Sequence, residues 1–408
     1  MNRETRIVAA SSVAHFLTHM FTLIFPAIVM PFARDMGVPA AAVYPLGFYQ
    51  YFLYGALALP AGYVADHWSR AGMLKIAVAG MSGAALLAAL APNAATFTAA
   101  LALIGLCCGL YHPAGLGLIA HEIPKQGSAH GINGVFGNLG IAAAPLFAGL
   151  VLLTMEWRWV YALAAAMGLA GFIAIVALDV EESHRGETAA APSPPDSING
   201  AWKYFLILLA AMTVAGFVYR ANTTALPSYL ERSAAGLVAL LEPLRGMGAS
   251  AEDARSGAAA ILAGGLYFFS MAAQLIGGKI ADRADLRRAY LMFHAASVPF
   301  ALAMAYLVDL PLYLAAAGMV FFSLGMQPVA NSMVSTLLHR RWLSTGYGIK
   351  FTFTFGLGSV AVWQVGWFDR EYGLPALYLA LAGEAALIAL IAAGLWFATR
   401  KIARVANH

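Results

Sequence analysis

Twelve apolar runs divide the chain, each roughly 18 to 25 residues long, and as a helix each would cross a hydrocarbon layer about 30 Å thick. The first six lie near 7–30, 43–64, 74–92, 96–119, 130–153 and 157–179; the second six lie near 203–227, 258–280, 289–308, 311–337, 346–367 and 375–398. They are continuous rather than alternating, which predicts helices and not the strands of a barrel. Two longer polar stretches interrupt them. Glu181 to Gly200, with Pro192, Pro194 and Pro195, is polar, non-periodic and Pro-rich and reads as a linker. Ser233 to Ser256 should lie outside the membrane between helices 7 and 8, with room for a short surface helix. The pattern predicts an all-α membrane protein with an N-terminal six-helix bundle at 1–180, a cytoplasmic linker at 181–200 and a C-terminal six-helix bundle at 201–408.

One short segment occurs twice. Gly62-Tyr-Val-Ala-Asp66-His-Trp-Ser-Arg70 is echoed 216 residues later by Gly278-Lys-Ile-Ala-Asp282-Arg283, and each copy stands between two long apolar runs. A loop repeated in this way implies two homologous halves. Transporters are commonly built so, with a binding site at mid-membrane between duplicated bundles.

Composition fixes the solvent. With 61% hydrophobic and 11% charged residues, the chain could not cover a water-facing surface, and in lipid every backbone amide needs an internal partner. Lys and Arg favour short cytoplasmic loops. If the N-terminus is inside, sixteen of the 24 basic residues fall on the cytoplasmic side, and Arg34, Arg158, Arg232, Arg245, Arg255 and Arg370 fall opposite. Arg220 and Lys350 remain, inside helices. The expected location is the inner (cytoplasmic) membrane, multi-pass, with both termini cytoplasmic. The net charge of +4 is a topology signal with no basic patch behind it, so no nucleic-acid partner is expected. Met1-Asn2-Arg3 runs into helix 1 without a small-residue cleavage site, so that helix should be retained. The two cysteines, Cys107 and Cys108, are adjacent on helix 4 and should not pair.

Twelve helices in two pseudo-symmetric halves, with the repeated Gly-x-x-x-Asp segment between helices 2 and 3 and between 8 and 9, resemble the major facilitator superfamily. The resemblance implies that Gly62 and Gly278 let helices approach, and that Asp66, Arg70, Asp282 and Arg283, with Arg287 as an additional match, gate the cytoplasmic face. His67 and Ser69 depart from the customary Arg and Gly. Ser12-Val-Ala-His15-Phe-Leu-Thr-His19-Met20, Tyr111-His112-Pro113 and His130-Gly131, followed by Gly137-Asn138-Leu-Gly140 and Pro145, resemble the fosmidomycin-resistance type of exporter. His19 stands where that group carries an acidic residue. Gly131, Gly134, Gly137, Gly140, Pro145 and Gly149 also resemble the superfamily's glycine-rich antiporter motif on helix 5, with Ala144 in place of a glycine. The same spacing suits ordinary close packing of helices.

Ionisable groups at bilayer depth cost about 2.5 to 3.5 kcal/mol on insertion scales and should face a cavity or a partner. His15 and His19, four apart, share one face of helix 1. His19 precedes Pro26 by seven residues, as Arg220 precedes Pro227, so the repeat sets them at equivalent levels. Lys350 on helix 11 could face the same space. Glu384 on helix 12 is the clearly mid-helix acid and belongs to the periphery. The excess of positive charge argues for an anionic ligand. Gln327 and Asn331 on helix 10, Asn133 and Asn138 on helix 5, and Gln50 on helix 2 complete the candidate substrate contacts, with His19, Arg220, Lys350 and His112. Structural readings stand beside these: Arg220 bonded to carbonyls or Asn222, Lys350 snorkelling, single amides bridging helices.

His19, His112 and His15 are the candidate proton carriers, since imidazole switches near neutral pH; His294 reads as structural. Pro113 should kink helix 4. The chain is thus expected to be a secondary active transporter, proton-coupled, moving a small organic anion or amphiphilic drug by alternating access, with export favoured. It is expected to act as a monomer without a cofactor, and not as an enzyme, since no nucleophile and base stand in a convincing context. The alternative is a transition-metal permease using the helix 1 and helix 4 histidines with Met20, Cys107 and Cys108.

Overall fold

The computed structural model describes residues 1–123, 126–182, 201–338 and 343–400, and the regular structure within them is helical. The passages, in order, are α1 (Arg3–Met36), α2 (Phe48–Ala56 continued by Ala58–His67), α3 (Arg70–Ala89), α4 (Ala94–Glu122), α5 (Gln126–Leu152) and α6 (Trp157–Ala177). The second half repeats them as α7 (Ala201–Ser233), α8 (Ala251–Ala281), α9 (Leu286–Met304), α10 (Asp309–Leu337), α11 (Leu343–Phe351 to Ala361–Glu371) and α12 (Leu374–Thr399). Nine of these are continuous helices long and apolar enough to cross a membrane, among the described residues. The other three have visible reasons to differ. A short 3-10 turn, Tyr44–Gly47, leads into α2, which breaks at Leu57. In α9 the apolar run is diluted by Arg287, Arg288 and His294, and α11 changes helix type midway.

The duplication survives in the packing. Within the first half α1 lies along α5, α2 along α4 and α3 along α6; within the second, α7 lies along α11, α8 along α10 and α9 along α12. Each half therefore buries the same faces, and the halves meet where α5 runs beside α8 and α2 beside α11. Glycine permits the first of these contacts: a Cβ on Gly257 would come within 2.7 Å of the Gly149 carbonyl oxygen, so the two backbones touch. The start of α1 and the end of α12 lie on one face, here the near face, since the passages are even in number.

Helix ends are capped as their sequences allow. Asn2, Asn93, Ser250 and Ser69 accept from backbone amides of the first turns of α1, α4, α8 and α3. Ser250, with Glu252 and Asp253 in the first turn, starts α8 at Ala251, seven residues before the sequence pattern does. The polar insert is accordingly shorter, and holds the helix Ala235–Leu241 and a 3-10 turn, Glu242–Leu244. Of the predicted linker, Glu181 and Glu182 are described and the remainder lies outside the described residues.

The repeated segments are helix ends rather than loops. Gly62 and Asp66 belong to the last turns of α2, Gly278 to α8, and Asp282 caps α8; the Asp66 side chain lies outside the described residues. A Cβ would meet only ordinary contact at Gly62 and open space at Gly278, so neither glycine marks a close helix approach in this conformation. Part of the polar work at these corners is done by two acids the sequence pattern passed over, Glu182 and Asp285. Glu182 accepts from the Ser69 hydroxyl at 2.6 Å and from the Ala71 and Arg70 amides at 2.8 and 3.1 Å, closing the N-terminus of α3. In the second half Asp282 and Arg283 are exposed. There Asp285 caps α9 and pairs with Arg287, which also reaches the Thr399 carbonyl at the end of α12.

Candidate functional site

Between the halves lies a cavity of about 260 Å³. Its wall draws on α1, α4, α5 and α7 to α12 and on Tyr54 of α2, and on α4, α10 and α11 it comes from the halves nearer the chain ends. A Cβ added at Gly134, which lines it, or at Gly131 would meet nothing within 4 Å, so the cavity leans toward the near face. At the far face the halves are tied together. Arg34 of α1 reaches Glu231 of α7 at 3.3 Å, and Asp253 and Ser256 of α8 at 2.9 Å each. Ser256 in turn donates to Glu231 at 2.6 Å.

Three imidazoles meet on one side of the cavity. His15 Nδ1 is 2.8 Å from the Asn133 carbonyl; a carbonyl only accepts, so this nitrogen carries the proton. His15 Nε2 then faces His19 Nε2 at 3.1 Å, with His19 donating when His15 is neutral. The ring of His112 stands 5.4 and 5.6 Å from those of His15 and His19, and its Nε2 bonds the Tyr54 hydroxyl at 2.7 Å. His112 opens a π-turn, His112–Leu116, because Pro113 supplies no amide to the helical ladder. Behind the cluster, Tyr111 donates to the Asn133 side chain, which donates to Ser11, each at 3.0 Å. Those bonds lock α1, α4 and α5 around His15.

Two cations face the imidazoles. Arg220 is 2% exposed, lies 3.5 Å above the Tyr51 ring, and has no carboxylate partner among the described residues. Its Nη1 makes no hydrogen bond. It is within electrostatic range of His19, as Lys350 is of His112. Lys350 donates to Asn331 and lies 5.5 Å from the Phe351 ring, which stacks on His112. Met212, Ile141, Met326, Phe355 and Ile388 make the rest of the wall largely apolar.

The sequence-derived candidates separate accordingly. His15, His19, His112, Arg220, Lys350, Gln327, Asn331 and Asn138 all line the cavity, with Asn138 bonded across the halves to Gln274 at 2.6 Å. Gln50 does not: it is fully buried and donates to the Phe21 carbonyl, holding α2 on α1. Asn133 stands behind His15 rather than in the wall. His294, read as structural, lines the cavity. Sequence reasoning missed Tyr51 and Tyr54, whose only signal was aromatic hydroxyls spaced about one turn apart on α2, and missed the π-turn Thr352–Gly356 and 3-10 turn Leu357–Val360 below Lys350. The glycines of α5 also divide. Gly137 faces the His15 ring, Gly140 the Phe16 backbone and Gly149 α8.

The three imidazoles lie close enough to share an ion, yet the metal-permease alternative gains no support. The thiol of Cys108 turns to the Thr18 carbonyl and Met81, no carboxylate among the described residues joins the group, and Arg220 and Lys350 flank it with positive charge.

A polytopic helical protein with duplicated halves around a mid-membrane cavity is a transport protein by architecture, not an enzyme. The model of the Major Facilitator Superfamily matches residues 11–362, and the chain belongs to that family. Among curated proteins it is 34% identical over 109 residues to the puromycin resistance protein pur8 of Streptomyces alboniger; the match covers 26% of this chain and 22% of that protein. Solved structures share the fold at low identity. A bacterial homologue of the human lysosomal transporter Spinster, inward-facing and occupied, aligns over 100% of this chain and 99% of its own at TM-score 0.76 and 14% identity. A peptide transporter POT in complex with sulfate aligns over 99% and 96% at TM-score 0.75 and 14% identity. A D-xylose-proton symporter aligns over 96% and 97% at TM-score 0.74 and 15% identity.

Proposed function

We propose that the chain is a proton-coupled secondary transporter that exports a small organic anion or amphiphilic drug, rocking residues 1–180 against residues 201–408 around the cavity. One observation carries this reading: a buried guanidinium, Arg220, with no carboxylate partner among the described residues. A desolvated cation without a counter-charge is costly, and an anionic group on the cargo supplies one. The apolar wall takes the body of the molecule, and Lys350 offers a second charge. The hydrogen-bonded His15 and His19 pair, beside His112, gives protons a place to bind and move. The chain ends face the cytoplasm of an inner membrane, by the bias of Lys and Arg. The resistance relative favours the outward direction, as does the resemblance to fosmidomycin-type exporters.

The test is counterflow of labelled organic anions in proteoliposomes, with thermal shift reporting binding. Arg220→Ala abolishes anion binding while the folded protein persists. Normal anion counterflow by that variant defeats the charge argument. His19→Gln leaves counterflow but uncouples transport from a pH gradient; unchanged proton dependence reassigns the carrier.

A further inference from the structure

Away from the cavity, where α12 meets α11, one carboxyl lies within an apolar run of the sequence. Glu384 Oε1 accepts from Gln364 Nε2 at 2.5 Å. The other two oxygens of this pair, Glu384 Oε2 and Gln364 Oε1, are both shielded and without a hydrogen-bond partner. The one bond between the two side chains holds them together, and each unmet buried polar atom costs about 1–3 kcal/mol. A single proton removes both costs. With hydrogen on Oε2, a small turn of the soft terminal torsion lets Glu384 donate to Gln364 Oε1, and acid and amide close a ring of two hydrogen bonds.

No cation among the described residues answers the carboxylate instead. The cations and histidine on the elements packed against α12 are engaged elsewhere: Lys203 over Tyr204, Arg220 on Tyr51, Lys350 on Asn331, Arg232 on Asp369, Arg370 on Glu371, Arg287 on Asp285, and Arg288 over Trp396, while His294 lies against Tyr290. An ionised carboxylate here would have an amide as its sole partner.

We propose that Glu384 is a second proton-binding site, protonated at neutral pH, and that its acid–amide ring with Gln364 clasps α11 to α12. The place gives the clasp a consequence. Gln364 lies just beyond the π and 3-10 turns of 352–360, and Lys350 lies just before them. The clasp therefore anchors the far half of α11 and leaves the irregular stretch as the pivot for the half that carries Lys350.

The experiment needs no cargo, so its outcome is separate from the anion reading. Infrared spectra of the purified full-length protein at pH 7 are compared with those of Glu384→Gln and Gln364→Leu. The carbonyl stretch of a protonated acid is present in the unaltered protein, absent from Glu384→Gln, and moved to the position of a free acid in Gln364→Leu. Thermal stability of Glu384→Gln stays near that of the parent, because an amide–amide pair keeps both bonds, whereas Glu384→Ala loses stability. Should Glu384→Gln not fold, dicyclohexylcarbodiimide on the parent protein gives the same answer by mass spectrometry. The acid O–H adds across one C=N bond, the oxygen joins carbon, the proton passes to nitrogen, and nothing leaves. An adduct on Glu384 at pH 7 supports the proposal. It is overturned if the acid band persists in Glu384→Gln, or if Glu384 stays unlabelled at pH 7.

Discussion

Replacing Arg34 with alanine should open the far face. In the closed state Arg34 ties α1 to Glu231 of α7 and to Asp253 and Ser256 of α8. Without it Glu231, 8% exposed, keeps the Ser256 hydroxyl, while the neighbouring Arg232 pairs with Asp369. Removing one partner of a fully buried pair costs about 3–5 kcal/mol. The Arg34 side chain is 27% exposed and the Ser256 bond remains, which brings the figure to about 2–3 kcal/mol. Once the far face opens, water solvates Glu231, so the cost falls on the closed state alone. At about 1.4 kcal/mol per factor of ten, the population open at the far face rises roughly 30- to 140-fold. Spin labels at exposed far-face positions of α1 and α7, read by pulsed dipolar spectroscopy, should show the longer distance gaining weight. Glu231→Gln in the same protein should restore much of the closed state, because a neutral amide needs no counter-ion. An unchanged distance distribution in Arg34→Ala refutes the reasoning.

Gly257→Val should separate α5 from α8, since even a Cβ meets the Gly149 carbonyl oxygen at 2.7 Å; we expect a loss of about 1–3 kcal/mol in thermal unfolding, and an unchanged midpoint speaks against the backbone contact. Thr224→Val with Ser228→Ala should favour the closed far face, because each removes a hydroxyl buried without a partner; the same spin-label distances should shift opposite to Arg34→Ala, and a shift in the same direction contradicts this. Asp285, at the near-face corner before α9, is raised by burial but held below its ordinary range by its bonds to Arg287 and the Arg287 and Arg288 amides. A lowered folded value stabilises above the unfolded carboxylate pKa and is lost as pH falls through the folded value; unfolding midpoints of Asp285→Asn and the parent should therefore converge at low pH, and a constant gap refutes the pairing.

Element number and order were legible because a lipid solvent turns the sequence pattern into long apolar runs, and the duplicated Gly-x-x-x-Asp segment located the two halves. The cavity was legible through its charges: an ionisable group inside an apolar run has few places to go, so His15, His19, His112, Arg220 and Lys350 could be grouped from the sequence alone. Amides were less informative. Gln50 and Asn138 look alike in sequence, yet one holds α2 on α1 and the other spans the halves, and which occurs depends on helix rotation, which hydropathy does not encode. Corner chemistry was hidden for another reason. Glu182 reaches α3 from more than one hundred residues away in the chain, and nothing local marks an acid that caps a distant helix. The irregular turns of α11 lack the proline that announced the one at His112 on α4.

The far-face seam links the gate to the site. On α7, Arg220, Thr224 and Ser228 recur at four-residue spacing and so form one stripe, facing Tyr51 and Tyr44 of the neighbouring passage. The Tyr51 hydroxyl interacts with Arg220 and Thr224, and the Tyr44 hydroxyl with Ser228, through contacts short of a full hydrogen bond. Polar atoms of all five are buried without a fully formed hydrogen bond. Contacts short of full hydrogen bonds leave the seam weaker than a satisfied one, and the Arg34 ties, the Gly246 amide on the Leu153 carbonyl and the glycine contact of α5 and α8 hold it. The stripe ends at the guanidinium in the cavity wall. On the proposed function, an anion bound there would satisfy the innermost member and so favour the closed face, whereas an empty site would not. On that same reading, cargo and the far-face closure would be coupled through this one helix face, with no need for a displacement carried through the bundle.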